Sequence, residues 1–70
     1  MWERVGQVIQ GLYLGQYPYQ GIVESSRVKF GGEVQHTVAL MDQITVMGAE
    51  KDTLLINESE KFSLIYVVDK

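Results

Sequence analysis

The residues best equipped to hold a charged ligand are Arg27 and Lys29, with Ser25, Gln35 and Thr37 nearby in sequence. Arginine offers a planar fork of donors and lysine a point charge. The hydroxyls and the amide could complete a surface for a phosphate, nucleotide or carboxylate. His36 stands among them without a second histidine or any cysteine to share a metal. The sequence marks out no nucleophile for it to activate. Its expected role is structural or ligand-lining, bonded to backbone or to Ser26. Tyr17 and Tyr19 flank Pro18 in YPY, and two rings beside a rigid proline suit stacking on a base or docking a proline-rich peptide. The acidic residues show no calcium-loop or paired-carboxylate spacing. Phosphate loop, dinucleotide fingerprint and nucleophile elbow are all missing. No enzymatic activity, cofactor or metal is expected.

The basic cluster shares one surface only if SSRVKFGGEVQHTV, Ser25 to Val38, folds in one particular register. A turn made of Gly31 and Gly32 alone would set Val28 opposite Gln35 and Phe30 opposite Glu33. Side chains alternate faces with a period of two, so an odd loop repairs the mismatch. A three-residue loop of Phe30, Gly31 and Gly32 pairs Val28 with Val34, Lys29 with Glu33 and Arg27 with Gln35. Glycine at its third position accepts a left-handed backbone at little cost. His36 then shares the inward face with Val34 and Val38.

Period-two alternation recurs elsewhere, and helical spacing does not. A first strand is expected from about Val5 to Leu14, with Val8, Leu12 and Leu14 on one face and a bend near Gly6 or Gly11. GQYP, Gly15 to Pro18, reads as a turn, and Tyr19 to Lys29 as a second strand. Glu33 to Leu40 follows, then a bend at LMDQ and a short strand from Ile44 to Met47. GAEKD, Gly48 to Asp52, reads as a polar turn before Thr53 to Asn57. NESEK predicts a single 3₁₀ turn. Phe62 to Val68 closes the chain, apolar on both faces at Leu64, Ile65, Tyr66, Val67 and Val68, and needs cover on both sides.

The 70 residues make one domain near the lower limit for a self-sufficient core, and without cysteine no disulfide can staple it. Small unstapled scaffolds gain stability by assembling with copies of themselves. The net charge of −3 disfavours general nucleic-acid binding, which needs a cationic surface. With neither a leader pattern nor a bilayer-length apolar run, a soluble protein of the cytoplasm is expected. Trp2 reads as a mobile end. The expected architecture is all-β: a single SH3-like antiparallel barrel of five strands over residues 1–70, with a 3₁₀ turn before the last strand, assembled as a homo-oligomer.

GLYLGQYPYQGIVESSRVKFGGEVQHTV (Gly11 to Val38), followed by ITVMGAEKDTLLINESE, resembles small accessory proteins of tailed, T4-like bacteriophages. The resemblance implies a non-enzymatic phage protein working in the host cytoplasm. Small oligomeric β proteins of phages include sponges that sequester the host's nucleotide immune signals. The implied site is the Arg27, Lys29, Gln35 and Thr37 face, or an aromatic-lined cleft between subunits. A protein-interaction adaptor using Tyr17 and Tyr19 is the alternative. The chain is also similar to the type II dihydrofolate reductases, SH3-like tetramers with one shared pore. Here VQHT matches their core motif at Val34 and Gln35. The tyrosine that follows in that family is missing, which argues against reductase activity.

Overall fold

The computed structural model describes residues 3–68 as an all-β chain with no helix among them, and Trp2 lies outside the described residues. Five antiparallel strands form one sheet: β1 (Gln7–Tyr13), β2 (Tyr17–Val28), β3 (Val34–Val46), β4 (Ala49–Asn57) and β5 (Phe62–Val67). Their order is β4-β3-β2-β1-β5, so β4 and β5 are the edges. Ile9, Tyr19, Val23, Val38, Leu54 and Ile56 form the core. These side chains come from four of the five strands and meet on one face of the sheet.

The β2–β3 hairpin adopts the register that apolar matching demands. Val28 pairs with Val34, Arg27 with Gln35 and Ser26 with His36. The Lys29 N–H donates to the Glu33 carbonyl at 2.7 Å and closes a loop of Phe30, Gly31 and Gly32, with positive φ at both glycines. A bulge between Val23 and Ser25 skips Glu24. That extra residue changes the phase of the alternation and puts Ser26, three positions after Val23, on the core face beside His36.

Other segments depart from expectation. In β1 the buried residues are Val8 and Ile9, while Leu12 and Leu14 are half exposed. Val8 and Ile9 point to opposite faces, and of the two Ile9 joins the core cluster. The register shift against β5 lies in β5, where Ile65 is the extra residue. The first turn is centred on Leu14 and Gly15, both with positive φ, so YPY belongs to β2 rather than to a loop tip. The segments expected as separate strands from Glu33 and Ile44 are one strand, β3, interrupted by a bulge between Ala39 and Ile44. Its turn into β4 is only Met47 and Gly48, and the charged run Glu50 to Asp52 lies in the edge strand. Charges there protect an unpaired edge as readily as they mark a turn. Before β5, the Glu60 N–H donates to the Asn57 carbonyl at 3.0 Å in a single tight turn.

At Gly21, β2 leaves no room for a side chain beside β3. A Cβ there would meet the Ala39 carbonyl oxygen and come within 2.7 Å of Val38 Cγ1. Gly15 has open space around it and only its positive φ to lose. Gly21→Ala should therefore cost about 2–3 kcal/mol by overpacking, and Gly15→Ala about 1 kcal/mol by backbone strain. Guanidinium denaturation of the two variants measures the gap, and equal midpoints would refute this account of the crossing.

Candidate functional site

Two separate features stand out: a buried polar chain and an open recess. The chain starts at His36, which is fully buried on the core face of β3. Its Nδ1 lies 2.7 Å from Ser26 Oγ and its Nε2 lies 2.6 Å from Glu58 Oε1. An ionised carboxylate only accepts, so Nε2 carries a proton toward Glu58. In the neutral ring Nδ1 then accepts from the Ser26 hydroxyl. Ser26 Oγ in turn accepts the Arg4 backbone N–H at 3.1 Å. The Arg4 guanidinium closes the circuit on Glu58 as a fork, Nε to Oε1 at 2.8 Å and an Nη to Oε2 at 2.7 Å. Its other Nη donates to Gln7 Oε1, and its cationic carbon lies 5.0 Å from the centre of the Phe62 ring.

Serine, histidine and glutamate in one hydrogen-bonded line invite comparison with a hydrolytic triad. The arrangement differs in what chemistry requires. Serine sits on Nδ1 and the acid on Nε2, the reverse of that template. The imidazole has no exposed surface, and the two recesses described below are lined by other residues than Ser26, His36 and Glu58. This array can tie the segment before β1, the hairpin and the turn before β5 into one unit. The Arg4 fork holds the Glu58 carboxyl down at about 2, helped by the His36 bond and opposed by desolvation. The same hydrogen bond raises the Arg4 pKa.

The recess lies between the β1–β2 turn and the start of β5, with a volume of about 730 Å³ and a mainly apolar lining. Gln10, Leu12, Pro18 and Tyr19 form one wall, and Lys61, Phe62 and Ser63 the other. A smaller hollow of about 280 Å³ shares Gln10, Pro18 and Tyr19 with it and ends at Asp42 and Ile44. Gly11 makes the floor: a Cβ there would come within 3.1 Å of the Tyr19 hydroxyl and 3.0 Å of the Lys61 carbonyl oxygen. Burial, with the Glu60 charge adding to it, pushes the Tyr19 phenol up to about 12, so it stays protonated.

Of the residues expected to bind, Arg27, Lys29, Ser25, Gln35 and Thr37 do share the outer face of the hairpin through their register. Arg27 and Lys29 each have a side-chain neighbour there. An Arg27 Nη donates to Gln35 Oε1 at 3.1 Å, and Lys29 Nζ stands 4.0 Å from Glu33. Ser59 binds the other Glu33 oxygen at 2.7 Å. His36 lies on the opposite face and is out of reach of any ligand there. Tyr17 is half-buried and Tyr19 is a core residue, so YPY does not display two free rings. The sequence reading passed over Arg4, Glu58 and the recess wall from Lys61 to Ser63. The pairing of Arg4 with Glu58 spans 54 positions, and no local pattern announces it.

Compared with protein-family models, curated proteins and solved structures, the chain gives no match.

Glu58→Gln removes the ionised partner of Arg4. At neutral pH it should cost about 1–2 kcal/mol, the low side for a bond to a charged group because the carboxylate is partly exposed and screened. The depressed Glu58 pKa contributes stability that is present above the ordinary 4.5 and is lost as pH falls toward about 2. Urea melts of wild type and variant should therefore converge across that window. A constant difference from neutral pH down to 2 would contradict the ion-pair account.

Proposed function

We propose that this protein is a small non-enzymatic interaction module of SH3-like barrel architecture. It assembles with copies of itself and holds an extended partner segment in the recess around Pro18 and Phe62. The architecture is supported by a four-strand meander whose fifth strand returns beside the first, after a tight turn. A core drawn from four strands on one face of the sheet is what such a small barrel needs. The observation that carries the binding reading is the recess itself. Its volume of about 730 Å³ falls within the range of ligand sites, its walls are mainly apolar, and a few polar groups lie at its rim. The shared wall with the second hollow favours an elongated occupant over a compact one.

A small anion such as a nucleotide is less well served. The hairpin face that would hold it has Arg27 engaged with Gln35 and Lys29 beside Glu33. The Glu33 carboxylate beside Lys29 would also repel a phosphate placed there.

Amide-shift mapping by NMR tests the choice between the two surfaces, with a library of apolar and proline-rich peptides on one arm and cyclic nucleotides on the other. Peptide binding should move Gln10, Leu12, Lys61 and Ser63. Leu12 is half exposed, so Leu12→Glu should abolish that response without changing the melting temperature. Nucleotide-induced shifts confined to Arg27, Lys29, Gln35 and Thr37 would transfer the site to the hairpin face. Silence on both arms would overturn the recess.

A further inference from the structure

The two edges of the sheet are unlike. The β4 edge carries Glu50, Lys51 and Asp52. Pairing two such edges antiparallel about Lys51 would oppose lysine to lysine and Glu50 to Asp52, which is unfavourable. The β5 edge, Phe62–Val67, has no charge, no proline and no glycine. Leu64, Ile65, Tyr66 and Val67 are between 39% and 56% exposed, spread over both faces of the strand. Val68 continues the apolar run, and its N–H is spent on the Gly6 carbonyl. Edges of soluble proteins normally carry a charge, a proline or an outward bulge to prevent pairing. β5 does carry one irregularity, an extra residue at Ile65 between the partners of Val8 and Ile9, but neither a charge nor a proline guards the edge.

We infer that β5 is the self-association edge: two copies of this chain pair β5 to β5, antiparallel, about a two-fold axis. This rests on the self-assembly included in the proposed function and names where it occurs. A second copy suits this edge better than an unrelated strand does. An uncharged strand opposes no like charges when paired with itself, and two-fold pairing closes after two subunits, leaving only the charged β4 edges outside. The arrangement also bears on the recess. Lys61, Phe62 and Ser63 form its outer wall, at the start of the unpaired edge. Antiparallel pairing lays the second half of the partner's β5 alongside the first half of this one. The partner's Tyr66 and the partner's Val67 then stand beside Phe62 and Ser63. Each recess is thereby extended by the other copy, and an elongated occupant would touch both chains.

Sedimentation of the full chain, with Val67→Lys as the variant, tests this. The wild type should sediment as a dimer. Val67→Lys should weaken that dimer by roughly a hundredfold, because the two-fold axis buries the added ammonium twice. Should the variant fail to fold, a wild-type sample mixed from two isotope labels gives an independent answer through contacts between copies, expected within Phe62 to Val67. A compact monomer at every concentration, assemblies larger than dimers, a dimer that Val67→Lys leaves intact, or inter-copy contacts on β4 would each overturn the inference. Repeating the peptide titration on monomeric Val67→Lys separates the two proposals: shifts at Gln10 and Leu12 there keep the recess even if the dimer is lost.

Discussion

A fully buried imidazole must find a partner for each of its two nitrogens, and much of this chain's organisation follows from how His36 does so. Ser26 reaches it only because the Glu24 bulge turns β2 by one residue. Glu58 reaches it only because the chain makes a tight turn directly after β4. The carboxylate would be costly in that half-buried position without Arg4, whose fork neutralises it and whose backbone N–H also satisfies Ser26. Four groups from four separate segments thus compensate one another. Phe62 lies under the guanidinium and edge-on to the imidazole, so the polar clamp is in contact with the wall of the recess.

The hairpin and its inward histidine could be read from the sequence because two local constraints coincide there. Alternation has a strict period, and a glycine pair permits only certain loops. The apolar closing strand was evident for the same reason, since seven successive residues without a charge leave little choice. The clamp could not be read. Arg4 precedes the first strand, Glu58 sits in what looks like an ordinary polar turn, and the relation between them exists only in the folded sheet. The recess was hidden too, because Tyr19 is drawn inward and what remains exposed at Leu12 and Pro18 has no distinctive spacing.

Two segments show what local pattern leaves out. Leu12, expected on one face with Val8, stays half exposed, and GAEKD looked like a turn because it is polar. Leu12 lies on the face opposite Ile9, and β4 is an edge, so burial follows position in the sheet rather than local pattern. Met47 shows the limit from the other side: it adopts positive φ in a two-residue turn although nothing about methionine favours that backbone.

The sequence distance spanned by the clamp also matters while the chain is being made. Arg4 is synthesised 54 positions ahead of its carboxylate partner. Until Glu58 emerges from the ribosome, the β2–β3 hairpin can form but its histidine faces an incomplete interior. Contacts of such long range are paid for in loop closure before they return any stability. The stretch from Arg4 to Glu58 must therefore all be available before the clamp can close, and the turn after β4 completes an interior begun ahead of β1.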